Sequence, residues 1–199
     1  MLIIGLTGSI GMGKSVTADL FRRAGVPVHD SDAAVHHLYE SSAAPLIESS
    51  FPGVSQNGRV DRAALAAKVL GDTGAMRRLE SIVHPLVRQD RADFLARCEA
   101  AGASVVVLDI PLLFETGCEQ ETTIIAVVDA PETVQKSRVL ARPGMTLLHF
   151  ESILARQISR SEKRKRAHVV IDTSRGVDAA ERQVRALLRA LAGVIGDKD

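Results

Sequence analysis

The stretch Gly8-Ser9-Ile10-Gly11-Met12-Gly13-Lys14-Ser15 fills every fixed position of the phosphate-binding P-loop pattern G-x-x-x-x-G-K-[ST]. It follows a short apolar run, Leu2-Ile3-Ile4-Gly5-Leu6, of the kind that forms buried strands. Apolar residues then recur at helical spacing, at Val16, Leu20, Phe21 and Ala24. Strand, glycine loop and helix stand in the order that the motif requires, so the stretch predicts a site for a nucleoside triphosphate. The alternative is a glycine-rich turn that only joins a strand to a helix.

The chemistry expected of this loop follows from its glycines and from the helix that it opens. Glycine lets the backbone bend so that successive N–H groups point at phosphate oxygens, and a helix N-terminus favours an anion at the same spot. Lys14 is expected to reach the β- and γ-phosphates, and the Ser15 hydroxyl is expected to bind Mg²⁺. The predicted nucleotide-binding residues are Gly8, Gly11, Met12, Gly13, Lys14, Ser15 and Val16.

Two further strands are predicted to end on acidic residues. A turn and a short second strand over residues 25–29 deliver Asp30-Ser31-Asp32 to the carboxyl edge of the sheet, where ligands bind in open α/β folds. One of these residues is expected to cap the helix that begins near Ala33, and one is expected to act in the chemistry. The apolar run 105–108 predicts a central parallel strand, and Asp109 at its end is a candidate Mg²⁺ ligand.

The loop after Asp109 reads Ile110-Pro111-Leu112-Leu113-Phe114-Glu115 and is unusually apolar. Such residues suit the wall of a binding site better than a solvated turn. Leu112, Leu113 and Phe114 are therefore candidates for contact with a second substrate. For Leu112 and Leu113 the alternative is that they fill the core beneath the loop.

The chain between the second and third predicted strands is longer than one crossover needs. Residues 41–60 resemble a loop, and a helix then starts with Asp61 as its N-cap. A further helix is expected to be interrupted at His84-Pro85, because proline removes a backbone N–H and disfavours helical geometry at the residue before it. We interpret residues 60–100 or so as a helical insert that covers a second substrate.

The segment from Lys136 to Arg166 is basic and has the pattern of two helices joined by a turn. A lid over residues 138–158 or so would bring guanidinium groups to the transferring phosphate and exclude water. Arg138 and Arg142, one helical turn apart, are the candidate catalytic residues of this lid. The run Lys163-Arg164-Lys165-Arg166 is open to another interpretation, as a solvated basic face or a nucleic-acid patch.

Five strands alternating with helices predict an α/β fold with a five-stranded parallel sheet, in the three-layer α/β/α arrangement of P-loop NTPases. The core strands are expected within residues 1–30, 104–130 and 168–173 of one domain that spans 1–199. The 25 Lys and Arg residues against 24 Asp and Glu residues give a net charge of +1, so no nucleic-acid partner is expected. No apolar run approaches the ~20 residues that span a bilayer, and the chain opens on a strand, so we expect a cytoplasmic protein without a membrane partner.

With these features in hand, the sequence resembles the dephospho-coenzyme A kinase family, and the match extends over nearly the whole chain. The segments that carry the resemblance are Leu6 to Ser15, Asp30-Ser31-Asp32, Val60-Asp61-Arg62, Leu79 to Pro85, Asp109 to Glu115 and Arg156-Gln157-Ile158. The P-loop alone is generic, but its combination with the His-Pro and Pro-Leu-Leu-Phe-Glu segments is specific.

The resemblance implies ATP-dependent phosphorylation of the ribose 3′-hydroxyl of dephospho-coenzyme A, the last step of coenzyme A synthesis. It implies that Asp32 is the catalytic base and that the insert holds the substrate. The residues implied to contact that substrate are Asp32, Arg62, His84, Pro85, Leu112, Leu113 and Phe114. Another small-molecule kinase of the same fold would differ only in the insert.

The sequence departs from the family pattern around the last strand. The family has Arg-Ala-Asp before that strand and an Asn after it, near the adenine. Here the corresponding residues are Arg166-Ala167-His168 and Asp172-Thr173-Ser174. The family's side chains for reading the adenine are therefore not matched here, and backbone groups could still read it.

Overall fold

The computed structural model describes the backbone of residues 1–196 and the side chains of residues 1–193. The last three residues of the predicted domain lie outside this range. Within the described range, no helix combines the length and the apolar character needed to cross a membrane. The elements in chain order are β1 Leu2–Thr7, α1 Lys14–Arg23, β2 Val28–Asp30, α2 Ser31–Tyr39, α3 Ala43–Ser50, β3 Ser55–Gln56, β4 Arg59–Val60, α4 Arg62–Val69, α5 Thr73–Ala100, β5 Val105–Asp109, β6 Ile124–Asp129, α6 Glu132–Leu140, α7 Leu147–Leu154, α8 Arg160–Arg166, β7 Val169–Asp172 and α9 Val177–Gly196.

The main sheet has five strands in the order β2-β5-β1-β6-β7, which confirms the predicted α/β fold. Strand β1 pairs in parallel with both β5 and β6, and β6 pairs in parallel with β7. The central strands are nearly continuous runs of buried apolar residues, as expected for a parallel sheet covered on both faces. Their carboxyl ends carry Thr7, Asp109 and Asp129, and β7 ends at Asp172. The P-loop therefore leaves the sheet at the edge where acidic side chains collect.

The chain forms two compact units, Met1–His29 with Cys98–Asp199, and Asp30–Arg97. The first unit is built on the sheet, and its core includes Ile4, Leu6, Phe21 and Ile171. The second unit has a separate core that draws on α2 to α5.

The second unit begins at Asp30, about thirty residues before the predicted insert. Residues 41–60 belong to this unit and are not the loop that we expected. They form α3 and a two-stranded hairpin, β3 with β4. Pro45 is compatible with α3 because it lies in the first turn, where a missing N–H costs no hydrogen bond. Asn57 and Gly58 both have positive φ, the conformation of a two-residue type I′ turn. The pair Asn-Gly was the signal for this hairpin.

The expected break at His84-Pro85 is also wrong, because α5 runs without interruption from Thr73 to Ala100 and contains Pro85. A proline inside a helix costs about 3 kcal/mol or more. Here one face of the helix is anchored in the second core through Ala75, Leu79 and Val83. Burial of each large apolar side chain is worth about 1.5–3 kcal/mol, so packing outweighs the local preference.

Candidate active site

The P-loop joins β1 to α1 through glycines that have no room for a side chain. A Cβ added to Gly8 would lie 2.3 Å from Val128 Cγ2, and one added to Gly11 would lie 2.4 Å from Val139 Cγ2. Gly11 and Gly13 also have φ values of +78° and +90°, which L side chains rarely adopt. The loop is therefore a bare backbone cradle, which is the shape that phosphate binding requires.

Met12 stabilises the conformation of this loop through its side chain and its backbone. Its side chain is buried, and its Sδ accepts a hydrogen bond from Ala130 N at 3.2 Å. Its carbonyl oxygen accepts from the Thr173 hydroxyl at 2.7 Å, and its own N–H donates to Ser9 O at 3.1 Å. These contacts fix the shape of the loop, and the contact of Met12 with the nucleotide stays a prediction.

The reactive groups at the start of α1 are Lys14 and Ser15. Lys14 Nζ lies 2.6 Å from Asp109 Oδ1, and the Asp109 side chain is only 2% exposed. Ser15 and Val16 are exposed in the first turn of the helix. The carboxylate predicted to bind Mg²⁺ is therefore within reach of the loop and is held by the lysine predicted to bind phosphate. This donor set, with an exposed hydroxyl and a carboxylate at a phosphate cradle, suits a Mg²⁺–nucleotide complex.

Two glutamines hold the peptide groups of Ile10, inside the loop. Gln135 Nε2 donates to Ile10 O at 2.7 Å, and Ile10 N donates to Gln157 Oε1 at 3.3 Å. Gln135 belongs to α6 and Gln157 follows α7, so both helices of the predicted lid segment are tied to the loop. No local sequence pattern pointed to Gln135, and Gln157 appeared only within a segment that carries the family resemblance.

Asp129, at the end of β6, is the centre of an ion cluster that was not predicted. Arg160 donates to it with two nitrogens, Nε to Oδ1 at 2.6 Å and Nη2 to Oδ2 at 2.7 Å, and Arg164 donates to Oδ2. Burial alone would raise the pKa of Asp129, but the hydrogen bonds and charges of the two arginines outweigh it and lower the pKa. The signal for this cluster was an acid at a strand end, the same signal that singled out Asp109.

The basic run at the end of α8 is therefore not a free basic face. Lys163 is buried, with Nζ 3.0 Å from Glu115 Oε1. Arg166 pairs with Glu119 and stacks on Phe114, its guanidinium carbon 4.3 Å from the ring centroid. Together with Arg164, three of these four cations are committed to carboxylates of the same unit.

We expect Asp129→Asn to lower the free energy of unfolding by about 1.5–3 kcal/mol near neutrality, because charge-assisted hydrogen bonds are lost. Because the pKa of Asp129 is lower in the folded state, its ionised carboxylate stabilises the fold at pH values above the ordinary pKa of 3.8. This stabilisation is lost as the pH falls through the pKa of the folded state. Urea unfolding should therefore show the gap between variant and wild type shrinking in acid.

The matched control for this prediction is Asp19→Asn, which removes an exposed ion pair with Arg22. This variant should lower the free energy of unfolding by no more than about 1 kcal/mol. If both variants lost the same free energy of unfolding, or if the difference between Asp129→Asn and wild type did not depend on pH, Asp129 would not stabilise the position of α8 through Arg160 and Arg164.

The two predicted lid arginines occupy different environments. Arg138 lies within α6, where Nη1 donates to Thr173 Oγ1 at 3.0 Å and Nη2 donates to Thr173 O at 2.7 Å. Arg142 follows the helix and is exposed in the turn before α7. Arg138 is thus tied to the residue that contacts Met12, whereas Arg142 lies in the connecting turn; the catalytic role of both lid arginines stays a prediction.

In the apolar loop after Asp109, some residues fill the core and one is exposed as a binding wall would be. Leu112 is 38% exposed, whereas Leu113 is 0% and Phe114 is 6% exposed. Leu113 therefore fills the core and is corrected as a substrate contact, and Phe114 is covered by Arg166. Leu112 alone retains the exposure that a binding wall requires.

The remaining predicted residues belong to the second unit. Asp30 is the helix cap, since its Oδ1 accepts from Ala33 N at 3.0 Å. Asp32 is exposed in the first turn of α2, and within its unit it makes no side-chain hydrogen bond to a described residue. Arg62 is exposed at the start of α4, and His84 and Pro85 are exposed on α5. Of the two carboxylates, Asp30 thus has the capping role, and the role of Asp32 as the base stays a prediction.

A family model described as dephospho-CoA kinase matches residues 2–179. The chain belongs to the dephospho-CoA kinase family. A protein of Mesorhizobium japonicum named dephospho-CoA kinase is 56% identical over 196 residues, 98% of this chain and 100% of that protein. One of the same name from Nitrobacter winogradskyi is 55% identical over 192 residues, 96% of each. A crystal structure from Thermus thermophilus is 38% identical with a TM-score of 0.83, covering 96% of this chain and 97% of that one.

The structure explains both departures of this chain from the dephospho-CoA kinase pattern. His168 extends the pairing of β7 with β6: its N–H donates to Ile125 O at 3.0 Å, and its Nδ1 accepts from Ile125 N at 3.0 Å. Thr173 links Met12 of the loop to Arg138 of α6. In this member of the family, Thr173 thus contacts the nucleotide loop, whereas His168 lies at the amino end of β6, away from that loop.

Proposed function

We propose that this chain transfers the γ-phosphoryl group of ATP to the ribose 3′-hydroxyl of dephospho-CoA, giving CoA and ADP. The observation that carries the proposal is the Lys14–Asp109 pair at 2.6 Å beside the glycine cradle, in a chain of the dephospho-CoA kinase family. The pair supplies the cation for the transferring phosphate and the carboxylate for its metal in one place.

The nucleotide would be held by the backbone of residues 8–15, with Lys14 exchanging Asp109 for the β- and γ-phosphates. Ser15 and the released Asp109 would then hold Mg²⁺. The ion supplies charge neutralisation for the phosphate oxygens in the transition state. This exchange leaves neither charge unpaired, because Lys14 keeps an anionic partner and Asp109 gains a cationic one.

The acceptor would be positioned by Asp32, whose carboxylate accepts a hydrogen bond from the 3′-hydroxyl. The hydroxyl oxygen forms a bond to the γ-phosphorus while the bond from that phosphorus to the bridging oxygen breaks, and the hydroxyl proton passes to Asp32. Arg62, His84, Pro85 and Leu112 are exposed and would contact the rest of this substrate.

The lid assignment is tested by Arg142→Lys, which keeps the charge but loses the planar fork. We expect the variant to lower kcat by about tenfold or more, part of the ~10³–10⁵-fold that a well-placed arginine supplies. Arg138→Lys should act mainly on the KM for ATP, because it loses one of two bonds to Thr173 beneath the loop. A normal kcat for Arg142→Lys would remove Arg142 from the catalytic set.

The activity itself is tested by ADP release from ATP and Mg²⁺ in the presence of dephospho-CoA, with phosphorus NMR of the product. The proposal expects acceptor-dependent turnover and a new phosphomonoester on the 3′-oxygen. Turnover of a different small-molecule alcohol with none of dephospho-CoA would assign the chain to another kinase activity.

A further inference from the structure

The peptide group between Ile10 and Gly11 is held by a hydrogen bond on one side only. Its carbonyl oxygen, Ile10 O, accepts from Gln135 Nε2 at 2.7 Å. Its N–H belongs to Gly11, which is buried, and no described residue accepts a hydrogen bond from this N–H. Nearly all buried backbone N–H groups in folded proteins have a partner. An unpaired buried donor in a phosphate-binding loop therefore indicates a place where a ligand accepts the hydrogen bond.

The preceding peptide group, between Ser9 and Ile10, has a partner on both sides. Ser9 O accepts from Met12 N at 3.1 Å, and Ile10 N donates to Gln157 Oε1 at 3.3 Å. Of the four polar groups in these two consecutive peptide groups, three thus have partners within the protein. The Gly11 N–H is the fourth, and it is the one that remains for a phosphate oxygen.

Gly11 allows its peptide group to rotate, and Gln135 prevents that rotation. The φ of Gly11 is +78°, and glycine adopts positive and negative φ about equally readily, so the peptide group before it can turn over at little steric cost. A trans peptide bond, as this one is, places C=O and N–H on opposite sides. Because the buried Gln135 holds the carbonyl towards α6, the N–H points away from α6.

The two glutamines that contact Ile10 use opposite ends of their amide groups. A carbonyl oxygen only accepts and a backbone N–H only donates, so Gln135 must present its NH₂ group and Gln157 its oxygen. Glutamate has nearly the same size as glutamine, but when ionised it only accepts hydrogen bonds. Glutamate can therefore replace the group that Gln157 uses but not the group that Gln135 uses.

We propose that Gln135 is a positioning residue for the nucleotide, because it fixes the Ile10–Gly11 peptide group so that the Gly11 N–H donates to a phosphate oxygen. This inference rests on the proposed function in taking ATP as the ligand of the loop. A donor that is oriented before binding gives more affinity than one that must turn over when the ligand arrives. Gln135 acts through the backbone and not by contact with the substrate.

The test measures the Kd for ADP with Mg²⁺ by calorimetry, in the wild type and in Gln135→Glu. The variant places an acceptor against Ile10 O, so the peptide group loses its orientation. The Kd should rise about 10- to 100-fold, the value of one hydrogen bond to a charged group. Gln135→Met, which removes the donor without adding charge, should raise the Kd by about tenfold. Gln157→Glu is the matched reciprocal variant, because it adds the same charge beside the same residue but keeps an acceptor.

The loss of ADP affinity in Gln157→Glu should be about tenfold smaller than in Gln135→Glu, because only the added charge opposes phosphate there. Two readouts separate positioning from a general loss of structure. The affinity for adenosine, which has no phosphate, should not change in either Gln135 variant. In NMR spectra, ADP should move the Gly11 amide proton downfield in the wild type and much less in Gln135→Met.

Equal losses of ADP affinity in Gln135→Glu and Gln157→Glu would overturn the role of Gln135. A normal Kd for Gln135→Met, an equal loss of adenosine affinity or an unchanged response of the Gly11 amide would overturn it as well. If the wild type did not bind ADP, both this inference and the proposed function would fall. The expected losses of ADP affinity without turnover of dephospho-CoA would support this inference and overturn the proposed function alone.

Discussion

Lys14→Ala should lower kcat by about 10³-fold. The Lys14 ammonium group is predicted to contact the transferring phosphate, and removal of one preorganised contact of this kind costs about 10²–10³-fold even when the contact is neutral. Asp109 is almost fully buried and loses this cation, so stability should fall as well, by an amount approaching the ~3–5 kcal/mol of a broken buried pair. Turnover must therefore be measured beside a melting curve.

Lys14→Arg separates the two effects. Arginine keeps a positive charge beside Asp109, so most of the stability should remain, but its larger planar head does not fit the place of an ammonium in the phosphate cradle. Turnover should therefore be low in both variants, whereas the melting temperature should fall clearly only in Lys14→Ala. Saturation with a non-hydrolysable ATP analogue at about 100 times its Kd should stabilise the wild type by about 2.7 kcal/mol, and the alanine variant by much less. Near-normal turnover in a folded Lys14→Ala protein would contradict the nucleotide site.

The parts of the fold that could be predicted are those with local signals. The P-loop required a strand before it and a helix after it, and the apolar runs before Asp109 and Asp129 are buried parallel strands as expected. The Asp61 cap was also correct, because its side chain accepts from Ala63 N and Ala64 N within the same turn. Each of these features is decided within a few residues of chain.

Errors arose where packing overrides a local preference. Pro85 is accommodated in α5 because the apolar face around it is buried, and no residue next to Pro85 reports that burial. Leu112 and Leu113 are chemically identical neighbours, yet one is exposed and the other is fully buried, because the path of the loop decides which of them faces the core. A sequence pattern cannot separate them.

Contacts between distant parts of the chain were missed entirely. Ile10 and Gln157 are 147 residues apart, and Arg138 and Thr173 are 35 apart, yet both pairs determine how the nucleotide loop is held. Such pairs depend on strand order and on which helices lie over the carboxyl edge of the sheet. The sequence therefore predicted residues for phosphate contact but not the residues that hold the loop in place.

Asp32→Asn should lower kcat by about 10²–10⁴-fold, the usual contribution of a general base. The phosphoryl-transfer transition state is loose, so the proton leaves late and orientation of the hydroxyl accounts for part of this factor. An asparagine side chain still accepts a hydrogen bond from the hydroxyl but does not take its proton. The loss should therefore appear in kcat, with a smaller change in the KM for dephospho-CoA.

Asp30→Asn is the matched control, because Asp30 caps α2 and this variant removes the neighbouring carboxylate charge without removing the cap. Its Oδ1 caps α2 through Ala33 N at 3.0 Å, and asparagine caps a helix about as well as aspartate. Both variants should thus melt close to the wild type, and only Asp32→Asn should lose most of its turnover at saturating concentrations of both substrates. If Asp30→Asn were inactive while Asp32→Asn remained active, the base would be Asp30. The exposed carboxylate of Asp32 would then have no part in the reaction.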